Sequence, residues 1–592
     1  MKRGWGGALL LSAACAVAAL WPALLDPAGS LIGDPDHPDC LGNHWLLDWV
    51  ASRIGAGQGL LHNPDYYWPV GDAPLLAGNG TDGILAAPLL WLWPWPAGAV
   101  AYAFVQRLLD GLAGWVLGRG LGASARAASW MVPAAALSPY ALTEASAGRW
   151  SQAGTWPLIA ALGLWAAFLR SAKPGVGAAS GLLLAASGLL YWYHAWFFLL
   201  AAAPMAVGLG LARRHARGLA WMALCAGGPL LPWLAVFVAR WDEVPGVTEA
   251  VVTGLSPVGG AALDPRAREA IPGLRALILA VGGPAGAAAL AWPALFAAPL
   301  ALPLLLRPGT RRRGVVVLVA ILVGFFALAL GDRGPGSPFR WIYDAAPPLR
   351  RFWWPMRHLV LVHLSLAGLG ALALDALGQT RPRLALGLLI AGLGAWLPAA
   401  HLQGAPAAVT VRALSWPRAA WVALAALPEG VVLTPPIAPQ AAGSQWPLMA
   451  QRAHRHPLLV GHAPWVDRVR PAAWDAAVAE DPALSALVAL ERGTPIALEG
   501  AALRALEGRG LRWLALDRSA FVVDLQPVVQ AYDAIFDELC GQPVYRDKGV
   551  QIWDLSACST SAVAHAHAPW PAGLAPGGPE RPVVGVWPAP SP

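Results

Sequence analysis

The stretch Gly33-Asp34-Pro35-Asp36-His37-Pro38-Asp39 decides how the chain is to be read. It stands just beyond an uninterrupted apolar segment, residues 6–25, long enough to cross a bilayer as one helix. Lys2 and Arg3 precede that segment. The positive-inside rule therefore keeps its start in the cytoplasm and delivers its end to the far side. Asp26, Asp34, Asp36 and Asp39 then meet water close to the outer membrane surface. Crowded carboxylates repel one another, so such a cluster needs a reason: a metal, a shared proton or a polar substrate.

Working outward, 57% of the 592 residues are hydrophobic and only 13% are charged, against about 25% charged in soluble domains. Mean hydropathy is +0.51. This is the composition of a polytopic membrane protein. The net charge of +7 does not point to nucleic acid, because the basic residues sit in short clusters between apolar segments, as membrane topology demands. Five cysteines are too few for a disulfide scaffold, and no Cys/His spacing resembles a zinc site. Segment 6–25 is expected to stay as a helix, since Trp21-Pro22 and Leu24-Leu25-Asp26 make a poor signal-cleavage site.

Spans and basic clusters alternate. Crossings are expected at 6–25, 98–118, 127–140, 154–169, 175–192, 195–211, 218–238, 287–306, 315–330, 359–377 and 384–398, about eleven in all. A long first outer loop runs over 26–96, and a second polar loop over 240–272. The apolar pieces 84–95 and 274–281 are too short to cross and read as re-entrant or interfacial. The expected fold class is thus an α-helical polytopic membrane protein over 1–400, with an extracytoplasmic α/β domain over 401–560 and a Pro/Ala-rich tail over 561–592. Short apolar runs at 430–434, 511–516 and 550–554 read as strands, and 483–491 and 500–508 as amphipathic helices. Cys540 and Cys558 fall in this domain and are able to pair in an oxidising compartment.

The outer loops carry the acids, so the chemistry is expected there. Asp34 or Asp36 suits a general base on an acceptor hydroxyl, and the pair is also a candidate for a divalent cation, magnesium or manganese. Pro35 and Pro38 stiffen the loop. Trp45, Leu46, Trp49 and Val50 share one helical face, read as a helix lying on the membrane surface. Tyr67 and Trp68, with Trp45, offer stacking faces for a sugar. Glu144 and Arg149, in the next outer loop, are candidates to complete the acidic, sugar- or acceptor-binding site. Arg351, Arg357 and His358 face outward against the positive-inside trend, which a lipid-linked phosphate would explain. Tyr191, Trp192 and Tyr193 read as an interfacial aromatic belt. Arg107 and Asp110 lie one turn apart inside a span and can neutralise each other.

Several of these segments, in this order, resemble the C-type glycosyltransferase superfamily. The matching pieces are Gly33-Asp34 with Trp45, Tyr67-Trp68-Pro69-Val70-Gly71, Ser138-Pro139-Tyr140, Pro338-Phe339-Arg340-Trp341-Ile342-Tyr343 and Trp354-Pro355-Met356-Arg357. In the final domain they are Leu511-Arg512-Trp513-Leu514-Ala515-Leu516-Asp517 and Gly541-Gln542-Pro543-Val544-Tyr545. Within the superfamily the chain looks most like bacterial YfhO-like and mannosyltransferase-like membrane proteins. The resemblance implies a polyprenyl-phosphate sugar donor, a glycan or protein acceptor outside the cytoplasm, Asp34 or Asp36 as catalytic carboxylate and Arg357 as phosphate ligand. Where relatives often carry Gly-His after the Pro-Tyr segment, this chain has Gly148-Arg149. The competing expectation is a lipid or glycan transporter or assembly factor on the same fold; transport is disfavoured because no internal repeat is visible.

Overall fold

The structure is a computed structural model, which describes residues 4–35, 37, 39–71, 81–239, 292–306, 310–329, 338–345, 355–402, 409–414, 418–438, 441, 445–461, 471–521 and 525–569. Among them, six helices are long and apolar enough to cross a membrane: Trp5–Leu25, Trp150–Ser171, Trp192–Leu209, Arg213–Val236, Arg311–Ala329 and Leu359–Thr380. Shorter apolar helices, Thr81–Leu92, Pro174–Leu190 and Pro382–Trp396, lie among them. The chain is an α-helical polytopic membrane protein with a C-terminal domain built around β-sheet.

The helix Ala97–Leu121 is the organising element of the helical part. It packs on the helices Trp5–Leu25 and Trp156–Ser171 through small residues, which let backbones approach. A Cβ on Gly120 would stand 2.0 Å from the Gly163 carbonyl oxygen, so only glycine fits that crossing. The helix stops at Gly122, whose φ of +103° is readily available only to glycine.

One expected crossing is corrected. Residues 127–140 do not form a single span. They break into Ala125–Ala128, Met131–Ala136 and the start of Pro139–Ser146. Pro133 lies inside the second piece and Pro139 opens the third; a proline lacks the N–H that would continue a helix. Likewise the expected crossing at 287–306 is a short helix, Trp292–Ala297, followed by a 3-10 stretch, Ala298–Leu306, where described.

The C-terminal domain holds a four-stranded sheet in the order β3 (Val431–Leu433), β5 (Leu511–Asp517), β7 (Val550–Asp554), β6 (Tyr545–Arg546). β3 and β5 run parallel, and the other pairs are antiparallel. A second pair, β4 (Ile496–Glu499) with β8 (Val563–Ala566), is antiparallel. Cys540 and Cys558 form a disulfide. Two more strands stitch the domain to the membrane part: β1 (Ser30–Ile32), just after the first span, pairs antiparallel with β2 (Val411–Ala413), just before the domain.

The helix of the first outer loop packs into the core of this domain. The helix Cys40–Gly55 forms where the amphipathic pattern predicts, but Trp45 and Trp49 are fully buried. They share a core with Leu448, Met449, Trp474 and Leu514 of the C-terminal domain. Trp45 Nε1 donates to Gln451 Oε1 at 3.0 Å, and Arg452 holds both Asp48 and Ser52. The surface-helix expectation is therefore corrected: the tryptophan face meets protein, not headgroups.

Candidate functional site

The acidic loop is fixed by two glycines. The helix Pro139–Ser146 ends in a left-handed turn at Gly148, with φ +69°. Gly148 N donates to Ala145 O at 2.9 Å and Arg149 N to Glu144 O at 2.8 Å, the paired bonds of a glycine-closed helix end. This turn folds Arg149 back beside Glu144. It also presses Gly148 against Cys40, leaving 2.6 Å between a hypothetical Gly148 Cβ and Cys40 Cα. Gly33, with φ +104°, faces the same point; its Cβ would meet Cys40 Sγ at 2.7 Å and Gly148 N at 3.2 Å. The loop is thus drawn onto the turn, and Asp34 N donates to Ser146 O at 2.8 Å.

Arg149 then gathers three groups. It reaches Asp39 Oδ2 at 2.7 Å, Glu144 Oε2 at 2.8 Å and His37 Nε2 at 3.0 Å. A planar guanidinium can serve three such partners at once. The other His37 nitrogen, Nδ1, faces the Asp39 N–H at 3.2 Å. A neutral imidazole keeps one ring proton, so one of these nitrogens accepts, and the second proton that would charge the ring is disfavoured beside Arg149. Burial first, and the Arg149 charge second, lower the His37 pKa, against the pull of Asp39, Glu144 and Asp34.

Asp34 is not buried in this cluster. Its side chain is 39% exposed, with the Arg412 guanidinium 3.7 Å away. Its backbone is held on both sides, since its carbonyl also accepts from His37 N at 2.9 Å. A carboxylate with a fixed backbone and an open face has the form of a general base.

The charge of Glu144 acts on Arg357. Tyr191 and Tyr193 stack in parallel with ring centroids 5.0 Å apart. The guanidinium lies over both, 5.3 and 5.0 Å from their centroids, and donates to the Tyr191 hydroxyl. The belt expectation for Tyr191 and Tyr193 is corrected: both are buried and form the seat of a cation.

The other expected site residues part company. Trp45 and Tyr67 are fully buried in the core of the C-terminal domain, and Trp68 packs against that core, so Trp45 and Tyr67 offer no face to a sugar. His358 is buried among Phe197, Phe325 and Phe339, turned inward rather than toward a phosphate. Asp36 and Arg351 lie outside the described residues. Among the described residues, no three His, Cys, Asp or Glu side chains converge to hold a metal. Asp34 and Asp39 each face a guanidinium instead. The expected cation pair, Asp34 with Asp36, includes a residue outside those described.

Arg107 and Asp110 form an ion pair of 2.8 Å that is almost fully buried. Arg107 donates to the Ala153 carbonyl, and Asp110 accepts from the Thr155 hydroxyl at 2.9 Å. Together they satisfy the backbone break between the helices Trp150–Ala153 and Trp156–Ser171. The pair has a structural task.

No family model matches this chain, and no curated protein matches it. Among solved structures, the mycobacterial arabinofuranosyltransferase AftD superposes over 94% of this chain with TM-score 0.54 and 16% identity. The chain shares the fold of that protein. This chain covers 42% of AftD's own length. ArnT from Cupriavidus metallidurans, solved with undecaprenyl phosphate, aligns over 95% of this chain and all of its own at 15% identity, with TM-score 0.37. An Archaeoglobus fulgidus oligosaccharyltransferase tethered to an acceptor peptide aligns over 91% of this chain and 70% of its own, at 13% identity and TM-score 0.48.

Proposed function

We propose that this protein is an inverting glycosyltransferase that takes a sugar from a polyprenyl-phosphate donor. The acceptor is a lipid-linked glycan, a polysaccharide or a protein, and the chain resembles the YfhO-like and mannosyltransferase-like members of the superfamily. One observation carries the reading. An exposed carboxylate, Asp34, is held by its backbone on the helix end that carries the Arg149–Glu144 pair, and the charge of Glu144 acts on the seated guanidinium of Arg357.

Such a pair supplies both ends of an in-line displacement. The acceptor oxygen attacks the anomeric carbon while its proton passes to Asp34. The bond from that carbon to the phosphate oxygen breaks, and the electron pair leaves with the phosphate. Arg357 meets the charge that grows there in the transition state. Glu144 and Arg149 hold the two halves in register. No step is routed through a metal.

The proposed reaction is extracytoplasmic. The basic N-terminal residues Lys2 and Arg3 favour that orientation, and so does the Cys540–Cys558 disulfide, since disulfides persist in oxidising compartments. The test is donor turnover by the protein in lipid nanodiscs, wild type against Asp34→Asn.

A further inference from the structure

The linker into the C-terminal domain is knotted into the acidic loop. β2 pairs with β1 so that Arg412 lies across from Leu31. One residue before β2, Thr410 accepts from Gly33 N at 2.8 Å through its carbonyl and donates from its own N to Ser146 Oγ at 2.9 Å. The same Ser146 takes the Asp34 N–H on its carbonyl. Linker, acidic loop and helix end therefore share one hydrogen-bonded point. From it Arg412 projects its guanidinium to 3.7 Å from Asp34 Oδ1.

The three described cations of this region differ in how they are used. Arg149 is spent on Asp39, Glu144 and His37. Arg357 is seated on two tyrosines. Arg412 keeps 57% of its side chain exposed and stands at ion-pair range from the Asp34 carboxylate. We propose that Arg412 is a positioning residue that holds the Asp34 carboxylate in its working orientation, so that docking of the C-terminal domain sets the geometry of the base. This rests on Asp34 being the base of the proposed transfer. An ion pair restrains the carboxylate's rotation about χ1 and χ2, and small misalignments of a reacting group are costly. The cation arrives on a strand whose backbone is fixed, so it transmits the domain's position to the carboxylate.

The experiment compares wild type, Arg412→Gln, Arg412→Lys, Asp34→Asn and Asp34→Asn/Arg412→Gln, each full length in nanodiscs. With a turned-over donor, Arg412→Gln is expected to lower kcat by about tenfold with donor KM little changed, and Arg412→Lys to recover part of the loss. A rise in donor KM with kcat kept would overturn the proposal, because Arg412 would then be acting on the donor. Hydrogen exchange of residues 33–40 is read in the same samples. Arg412→Gln should speed that exchange, Arg412→Lys should not, and Arg412→Gln should add nothing in the Asp34→Asn background. Equal exchange in wild type and Arg412→Gln, or additive effects in the two backgrounds, would overturn the proposal. Should the wild type turn over no donor, the transfer reading fails on its own, while exchange still decides whether Arg412 holds the Asp34 loop.

Discussion

Gly148 and Cys40 touch backbone to backbone: a Cβ added to Gly148 would lie 2.6 Å from Cys40 Cα. That contact is where the acidic loop and its helix Cys40–Gly55 meet the turn that carries Arg149. It makes Gly148→Ala the sharpest packing test of the site. The residue sits at φ +69°, where any side chain costs about 1–2 kcal/mol. Overpacking against main chain should add about 2 kcal/mol more. Gly57, at φ +66° with nothing within 4 Å of its would-be Cβ, is the control. Gly57→Ala should show only the backbone cost. Thermal unfolding of the two variants in the same detergent checks the difference.

Arg149 is irreplaceable by lysine on geometric grounds. An ammonium is a point donor, whereas the guanidinium reaches Asp39, Glu144 and His37 together. Arg149→Lys should destabilise by about 2 kcal/mol and Arg149→Met by about 3 kcal/mol, since the latter leaves Glu144 enclosed without its cation. Arg149→Met should be partly restored by Glu144→Gln, which removes the stranded charge. Unfolding midpoints of the single and double variants measure this coupling.

Acid should destabilise the protein through its enclosed histidines. His44 is fully buried, with Trp95 Nε1 donating to its Nδ1 at 3.1 Å, and burial pushes it down to about 4. His454 accepts from His456 N at 3.1 Å on Nδ1, and burial first, then His456 and Arg455, push it down to about 3. His37 is lowered as well. Unfolded, each titrates near 6.5. Below that value the unfolded chain binds protons that the native chain refuses, so stability falls with pH until the native values are reached. Each group contributes a slope of about 1.4 kcal/mol per pH unit. Glu491, raised to about 7 by burial, works against them, because its native form takes up a proton before the unfolded one does. The clean readout is therefore a difference: the unfolding midpoint of His454→Gln should fall less steeply than wild type between about pH 6 and pH 4.

Much of the architecture was legible in the sequence. The alternation of apolar segments with basic clusters marks a polytopic helical protein, and the apolar runs beginning at Val431, Leu511 and Val550 are strands β3, β5 and β7. The acidic loop drew notice because four carboxylates after one span need an explanation. What stayed hidden depends on partners distant in sequence. An apolar stripe with Trp45 and Trp49 looks the same whether it faces lipid or a protein core. Its partner Gln451 is 406 positions further along the chain. Tyr191 and Tyr193 carry the composition of an interfacial belt until Arg357, 166 positions beyond Tyr191, is seen above them. Arg412 gives no local signal: it is one basic residue in a linker, and only the β1–β2 register brings it to Asp34. Arg149, which stands where the resemblance led to a histidine being expected, is the hub that ties His37 into the cluster.

The central claim is that Asp34 deprotonates an acceptor during transfer from a polyprenyl-phosphate sugar. The direct measurement is release of polyprenyl phosphate by the purified protein in nanodiscs, given a panel of radiolabelled polyprenyl-phosphate sugars and a membrane-glycan extract. The account predicts release by wild type and a loss of about a hundredfold or more in Asp34→Asn, with the variant's unfolding midpoint near that of wild type. Equal release by a well-folded Asp34→Asn would contradict it, and no release by the wild type from any donor would turn the reading toward an assembly factor built on the same fold.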